Sequence, residues 1–326
     1  ERLVVTLLSL LFLSTAVFAT VKYVFRAPEL DTDKPVVTPD GTASADADRT
    51  DTDEPDALGR TRRKYCYNIL VSGLDDDNGG SDTNILVRFD VPNKRIDLVS
   101  LPRDTLLHNE YRNNKLNFAY AKGGTELLME QIENLLGIPV DFYVTVNLKG
   151  FIALVDQIDG VDFDIPINMD YDAPYQDLHI HFTKGPRHLN GQEAMEVVRF
   201  RHNNDGTGYG TEDIGRIGTQ QAFLKAVAKQ LLQIGNVKNI PALVDIFYTY
   251  VKTDLTTGNL VWLGNVALNI GTENIHFATL HGDGSGYYNK QSVYVLDAQA
   301  TCDLVNEALN PYNEALTLED MDILVP

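Results

Sequence analysis

The stretch "YNILVSGLDDDNGGSDTNILVRFDVPNKRIDLVSL", residues 67–101, contains three short runs rich in branched apolar side chains. Each run has the length of a buried or half-buried strand, and polar, Gly or Pro residues separate the runs. Downstream, helical patterns such as residues 124–136 alternate with further strand-like runs. This alternation predicts an α/β fold in which helices cover both faces of a central sheet.

The N-terminal segment is apolar. Residues 3–21, "LVVTLLSLLFLSTAVFATV", carry no charge, and this length fits a bilayer span of roughly 20 residues. We therefore expect a transmembrane anchor over residues 1–26; the alternative is a cleaved signal peptide that ends near Ala19. Both interpretations place the remaining chain outside the cytoplasm, and the first predicts a single-pass protein of the cell membrane with an extracellular C-terminal domain.

Residues 27–61 are rich in Asp, Thr, Pro and Ala and contain few large apolar side chains. Such a segment buries too little surface to offset its ordering entropy, which predicts a disordered acidic linker. Residues 62–326 are then the extracellular domain, with a helical and strand extension at its C-terminus. The two cysteines, Cys66 and Cys302, either pair outside the cell or remain buried free thiols.

The charge balance argues against nucleic acid as a partner. The chain has 27 Lys and Arg against 46 Asp and Glu, a net charge of −19 and a pI near 4.6. Proteins that bind nucleic acid present basic surfaces to the phosphates, so we exclude this class. Any cluster of arginines here is a local anion site within an acidic protein.

Such a cluster occurs in "VVRFRHNNDGTGYGTEDIGRIGTQQ". Arg199 and Arg201 are two residues apart, so in an extended backbone both side chains lie on one face. Arg216 and Gln220 are four residues apart near the start of a predicted long helix, where they also share a face. The free N–H groups of that helix terminus suit a phosphate. The alternative is a set of surface ion pairs with the neighbouring acids.

Two acidic residues and one arginine lie at predicted strand ends. Asp75 ends the first strand, Asp82 begins the second, and Arg103 follows the third in "SLPRDT". Ligands commonly bind at such a sheet edge. Two carboxylates are enough protein ligands for a Mg²⁺ ion when substrate phosphates supply the other oxygens. The alternative is an acidic, solvated hairpin loop. Lys115 and Asn117 are either supporting residues of the site or structural.

His179 and His181 in "DLHIH" have a spacing that suits a metal on a strand. The sequence shows no evident third ligand, so we expect packing or hydrogen-bonding roles for both.

The blocks "NILVSGLD", "SDTNIL", "LVSLPRDT", "KLNFAYAKGG", "LNGQEAMEVVRFRH" and "DIGRIGTQQ" follow one another between residues 68 and 229. In content and order they resemble the LytR-CpsA-Psr family of cell-envelope proteins. The resemblance implies a mixed sheet between helices, one N-terminal membrane helix, and an extracellular domain. It also implies transfer of a teichoic acid or capsule-like glycopolymer from a polyprenyl pyrophosphate lipid onto peptidoglycan, with Mg²⁺.

The resemblance assigns site residues by matching position. The metal ligands would be Asp75 and Asp82, which with Arg103 form the catalytic set. The pyrophosphate ligands would be Arg103, Arg199, Arg201, Arg216 and Gln220.

Three positions depart from the family pattern: Gly80 stands where an arginine is common, Phe118 where a histidine is common, and Thr219 in place of an arginine. A non-catalytic protein that binds polyprenyl phosphate or polymer is therefore the alternative function. A transcriptional attenuator, the historic family label, conflicts with the acidic charge and the apolar N-terminus.

Overall fold

The computed structural model describes residues 25–30, 36–37, 43–44, 56, 58–74, 79–176, 178–209, 212–233 and 249–326. Three predicted features lie outside the described residues. They are most of the expected membrane anchor, the predicted metal ligand Asp75, and residues 241–248 of a predicted helix. No helix in the described ranges is long and apolar enough to cross a bilayer.

The elements alternate as the sequence predicts. The strands are β1 (Val36–Val37), β2 (Ala43–Ser44), β3 (Cys66–Leu74), β4 (Ser81–Asp90), β5 (Arg95–Leu101), β6 (Phe142–Asn147), β7 (Val161–Ile165), β8 (Met169–Ala173), β9 (Leu178–Phe182), β10 (Gly185–Leu189), β11 (Val251–Thr253), β12 (Ile275–Thr279), β13 (Gly282–Tyr288) and β14 (Gln291–Leu296). The helices are α1 (Leu116–Leu136), α2 (Leu148–Gln157), α3 (Gly191–Arg199), α4 (Glu212–Gln233), α5 (Thr257–Ile270) and α6 (Ala298–Ala308). Short 3₁₀ turns occupy Pro174–Gln176, Thr272–Asn274 and Leu318–Asp320.

The central sheet has the strand order β11-β6-β3-β4-β5-β12. β3 runs parallel to β6 and antiparallel to β4, β5 pairs antiparallel with β4 and parallel with β12, and β11 is antiparallel to β6. The sheet is therefore mixed, as the family resemblance implies. Because Asn84 pairs with Leu101, the start of β4 lies beside the end of β5.

Helices pack on both faces of this sheet because neighbouring strand residues point in opposite directions. Leu70, Leu86 and Val99 belong to one apolar cluster with α1 and α6. On the other face, Ile69 packs in a cluster with Leu263 of α5, and further strand residues pack against the same helix. The predicted arrangement of a sheet between helices is confirmed.

A second apolar core lies beside the sheet, among α2, α3, α4 and the paired strands β7–β10 and β8–β9. Phe223 of α4 is fully buried there, with its ring centroid 5.5 Å from that of Phe163 and 5.8 Å from that of Phe151. This packing fixes α4, whose first turns carry the predicted anion-binding residues.

The region of Arg199 differs from the sequence prediction of an extended backbone. Arg199 is the last residue of α3, a helix that begins with a capping box in which Asn190 and Glu193 satisfy each other's backbone N–H groups. The chain becomes extended only at Phe200, whose φ and ψ are −59° and 135°. The prediction that Arg199 and Arg201 lie on one face of a strand is therefore wrong.

Helix α1 also begins earlier than predicted. Its first turns start at Leu116, and the helix is interrupted at Gly123 and at Gly124, whose φ of 70° is left-handed. The sequence pattern identified only the part after this break, because the two glycines are typical of a helix boundary.

Parts of the predicted linker contact the folded domain. Tyr67 donates a hydrogen bond to the Pro28 carbonyl (3.1 Å), and Leu30 packs against the same apolar cluster as Tyr67. Val36–Val37 pairs with Ala43–Ser44. The Arg60 guanidinium lies 4.4 Å from the Tyr312 ring centroid, so the domain includes residues before position 62.

Cys66 and Cys302 are buried and free. Burial raises the pKa of the Cys66 thiol to about 11. Of the two sequence interpretations, the structure agrees with buried free thiols.

Candidate functional site

A cleft lies where the start of β4, the end of β5, the second turn of α4 and the β13–β14 hairpin meet. Its lining residues are Asp82, Thr83, Asn84, Ser100, Leu101, Pro102, Arg103, Asp104, Arg216, Gln220, Gly284, Ser292, Val293 and Tyr294. We refer to this set as the cleft. It brings together three of the residues that the sequence assigned to the pyrophosphate, Arg103, Arg216 and Gln220, and one assigned metal ligand, Asp82.

Arg103 and Asp82 form an ion pair through Nη1 and Oδ1. Their side chains remain 27% and 41% exposed, so a ligand in the cleft can reach both. Arg103 Nε also lies 3.8 Å from Oδ1 of Asp104, and Lys115 Nζ lies 3.1 Å from the same oxygen. Side chains of opposite charge thus contact one another in the order Asp82, Arg103, Asp104, Lys115, and the first three line the cleft.

The loop after β5 is shaped by backbone contacts. Thr105 donates to the Pro102 carbonyl through its N–H (3.0 Å) and its hydroxyl (2.7 Å). The N–H of Asn117, at the start of α1, donates to the Arg103 carbonyl at 2.9 Å. These bonds fix the backbone of Arg103, while its side chain remains partly exposed.

Helix α4 contributes Arg216 and Gln220, whose i, i+4 spacing does place both on the cleft side of the helix. Arg216 is only 7% exposed. The Gln220 side chain donates to the Val198 carbonyl at 3.1 Å, which joins α4 to the last turn of α3. Thr219 turns away, and its hydroxyl contacts the Tyr209 hydroxyl at 2.8 Å.

Arg199 and Arg201 are described residues but are not among those that line the cleft. Arg199 Nη1 lies 3.9 Å from the Met195 sulfur, and Arg201 is exposed. The contact of Gln220 with Val198 nevertheless places the end of α3 directly against α4. The predicted arginine cluster therefore forms two groups, one inside the cleft and one at the adjoining end of α3.

The glycine-rich segment between these groups returns to α4, as its length predicts. The ring centroid of Tyr209 lies 5.6 Å from that of Phe200. A Cβ on Gly215 would lie 2.2 Å from the Tyr209 Cβ. Gly215 therefore lets this loop pack directly on the helix that carries Arg216.

Of the two predicted metal ligands, only Asp82 is among the described residues. Leu74 at the end of β3 pairs with Ser81, the residue before Asp82. Asp75 itself lies outside the described residues, so its pairing with Asp82 stays a prediction.

Some cleft residues were not identified as such from the sequence. Asp104 follows Arg103 directly in "SLPRDT", which was an available signal, and its partner Lys115 was named only as a possible supporting residue. Gly284 and Tyr294 come from the β13–β14 hairpin, which is far from the motifs in sequence and has no pattern that indicates a site.

The structure shows the surroundings of Gly80 and Phe118, two of the positions that depart from the family pattern. A Cβ on Gly80 would meet the Asn117 carbonyl oxygen at 3.6 Å, an ordinary contact distance. Phe118 packs edge-on near Tyr111, with ring centroids 6.5 Å apart.

Comparison with known proteins gives one family. A family model described as "LytR_cpsA_psr family" matches residues 36–310. The chain is 30% identical over 249 residues to Bacillus subtilis TagV, named a polyisoprenyl-teichoic acid–peptidoglycan teichoic acid transferase; the match covers 73% of this chain and 62% of TagV. It is 32% identical over 244 residues to Bacillus cereus TagU, which has the same transferase name, and the match covers 73% and 76% of the two chains.

A third relative, the "Regulatory protein MsrR" of Staphylococcus aureus, is 31% identical over 200 residues, or 60% of this chain and 58% of MsrR. The matches to TagV and MsrR thus span less than two thirds of those proteins. Among solved structures, Bacillus subtilis TagV superposes with a TM-score of 0.62 at 29% identity, covering 73% of this chain and 94% of that one. Bacillus subtilis TagU gives 0.55 at 26% identity, covering 78% and 100%.

Proposed function

The chain belongs to the LytR-CpsA-Psr family, and from that membership we propose that it is a phosphotransferase that attaches a lipid-carried anionic glycopolymer to peptidoglycan. The transferase names of TagV and TagU support this activity. The observation that carries the proposal is the convergence of Asp82, Arg103, Arg216 and Gln220 on one cleft.

The cleft suits a pyrophosphate. Guanidinium groups bind phosphate oxygens through paired N–H donors, which explains arginine rather than lysine at positions 103 and 216. Arg103 is partly exposed and paired with Asp82. A phosphate oxygen that takes the place of the Asp82 carboxylate would keep the guanidinium paired and release Asp82 for another role.

The proposed reaction is a displacement at phosphorus. A sugar hydroxyl of peptidoglycan attacks the phosphorus that carries the polymer, and a new P–O bond forms. The bond from that phosphorus to the bridging oxygen breaks, and polyprenyl phosphate leaves with the electron pair. The hydroxyl proton passes to a carboxylate, with Asp82 or Asp75 as the base. Arg103 and Arg216 stabilise the charge that develops on the phosphate oxygens.

We propose that Asp82, together with Asp75, holds a Mg²⁺ ion. The described donor suits a cation, because Asp82 lines the cleft and its carboxylate remains 41% exposed while paired with Arg103. Mg²⁺ needs one or two protein carboxylates when substrate phosphates supply further oxygens. When bound, the ion would neutralise phosphate charge.

The proposed setting is the outer face of the cytoplasmic membrane. Residues 1–26 would anchor the chain as a single-pass membrane protein and place the domain near both the polyprenyl lipid and peptidoglycan. The net charge of −19 argues against a nucleic-acid partner.

Gly80 favours one alternative function. The family commonly has an arginine there, and its absence removes a cation close to Asp82. A protein that binds the polyprenyl pyrophosphate lipid without efficient transfer would still use Arg103 and Arg216.

The test separates transfer from binding. The purified full chain is given a lipid pyrophosphate-linked sugar and a peptidoglycan oligomer, and Asp82→Ala is compared with Asp303→Ala, a change at an exposed acid on α6. We expect Asp82→Ala to lose transfer but retain lipid binding, EDTA to reproduce that loss in the parent, and Asp303→Ala to behave as the parent. Normal transfer by Asp82→Ala would show that Asp82 has no catalytic role. Transfer in the absence of metal would show that the reaction does not need Mg²⁺.

A further inference from the structure

The β8–β9 hairpin presents a group of acidic and histidine side chains that the cleft does not use. Asp170 pairs across the hairpin with His181, and Asp172 pairs with His179. Each of these residues is exposed, while Ile180, between the two histidines, is fully buried in the second core. The four polar side chains therefore share the outer face of the hairpin.

Three of these side chains converge on one point. His179 Nδ1 lies 2.5 Å and His181 Nε2 lies 3.3 Å from Oδ1 of Asp172. One ligand atom from each of the three residues lies within 4.8 Å of the other two. Tetrahedral bonds of about 2.0–2.1 Å place ligand atoms about 3.3 Å apart, so small side-chain rotations suffice to admit an ion.

The orientation of His181 favours metal binding. Its Nδ1 lies 2.8 Å from Asp170 Oδ1. Nδ1–H donates to that carboxylate, and a metal ion that takes the place of the proton between Nε2 and Asp172 Oδ1, 3.3 Å apart, would bind the lone pair of Nε2. A carboxylate that orients the imidazole through its other nitrogen is the usual support for a metal-binding histidine.

The backbone beneath these side chains is fixed by a neighbouring loop. The Asp170 N–H donates to the Asn203 side chain at 2.7 Å, and the Asp172 N–H donates to the Asn204 side chain at 2.6 Å. Asn204 also donates to the Asp172 carbonyl at 3.1 Å. Strand pairing and this loop therefore hold β8, the strand that carries Asp170 and Asp172, in place before any ion binds.

We propose that Asp172, His179 and His181 form a binding site for a divalent transition metal of the Zn²⁺ type, which links β8 to β9. Two imidazoles and one carboxylate suit Zn²⁺ better than Mg²⁺, which prefers oxygen ligands. Three protein ligands leave a fourth position for water. The third ligand was missed in the sequence because Asp172 comes from the opposite strand.

The chain offers a matched control. His188 Nδ1 lies 2.8 Å from Asp162 Oδ1, and both side chains are exposed. This is the same pair chemistry on a neighbouring pair of strands, and neither residue belongs to the three-ligand group.

The experiment is calorimetric titration of Zn²⁺ into the metal-free full chain, with circular dichroism to check that each variant is folded. We expect one equivalent to bind, with affinity about tenfold weaker or worse in His179→Gln and in Asp172→Asn, and unchanged in His188→Gln. Co²⁺ should bind the parent with the visible absorption of a four-coordinate site. The proposal is overturned if the parent binds no stoichiometric Zn²⁺, if His188→Gln weakens binding as much as His179→Gln, or if bound Co²⁺ lacks that absorption.

Discussion

Arg103 is the residue that links the acidic and basic sides of the cleft. It contacts Asp82 and approaches Asp104, which Lys115 also contacts. An arginine that already has carboxylate partners keeps its charge compensated without a ligand, and it can exchange one partner for a phosphate oxygen. The acidic cleft residues are therefore compatible with the proposed anion site in a protein of net charge −19.

Substitution of Gly80 tests whether the arginine that the family commonly has at this position would bind the phosphate. Its φ lies outside the left-handed region and an added Cβ makes only an ordinary contact, so Gly80→Arg should fold normally. A charge-assisted hydrogen bond from the new side chain contributes roughly 1.5 kcal/mol, so we expect about tenfold tighter binding of a polyprenyl pyrophosphate lipid. Gly79→Ala is unsuitable as a control because Gly79 has a φ of 65°; Gly218→Ala, with open space around it, serves instead. Unchanged affinity would show that position 80 does not face the phosphate.

His188 gives a pH prediction. Its hydrogen bond with Asp162, together with the nearby Asp159, raises the pKa of His188 above its ordinary value. A raised pKa in the folded state stabilises the protein below the unfolded pKa, and this contribution is lost as the pH rises through the folded value. Asp162→Asn should therefore lower the free energy of unfolding at about pH 5.5 but not at about pH 8.5. Histidine NMR titration gives the check: a His188 midpoint that does not fall in Asp162→Asn would contradict the assignment.

The sequence predicted the central strands because their apolar runs are continuous. It did not predict the helical state of Arg199, because "VVRFR" alternates as a strand does, whereas the helix that ends at Arg199 begins upstream at the Asn190–Glu193 capping box. It predicted the shared face of Arg216 and Gln220, because both lie within one regular helix. The contribution of β13–β14 to the cleft depends on tertiary packing that no local pattern encodes.

The division of the arginines between α3 and the cleft predicts unequal effects on lipid binding. Arg216→Ala should weaken pyrophosphate lipid binding about 10–100-fold, because it removes charge-assisted hydrogen bonds from within the cleft. Arg199→Ala and Arg201→Ala should weaken it less, because neither residue lines the cleft. Arg187→Ala, which removes an exposed pair with Glu193, should not change it. Equal losses for all three site arginines would contradict the two-group arrangement, and unchanged affinity in every variant would contradict the site.

A buried ion pair joins the N-terminal edge of the domain to the sheet. Arg62 contacts Asp141 at 2.5 Å, and the two side chains are 7% and 2% exposed. Asp141 also accepts from the Asn68 backbone N–H at 2.8 Å. Loss of Arg62 leaves this carboxylate buried without its guanidinium.

We therefore expect Arg62→Ala to lower the free energy of unfolding by about 3–5 kcal/mol, the usual cost of a buried charge that loses its partner. The exposed pair in Arg187→Ala should cost about 0–1 kcal/mol. Urea denaturation of both variants measures the difference. Similar midpoints for the two would show that residue 62, the first residue of the domain predicted from the sequence, lies outside the stable domain.

We propose that the cleft catalyses transfer rather than only binding the lipid. The most direct test of this proposal follows both products when the full chain acts on a lipid pyrophosphate-linked sugar and a peptidoglycan oligomer. We expect a phosphodiester-linked sugar on the oligomer and polyprenyl monophosphate in equal amounts, detected by mass spectrometry. If the lipid binds with an affinity that Arg216→Ala weakens, but neither product forms, the proposed transferase activity is contradicted. The chain would then be a lipid-binding protein.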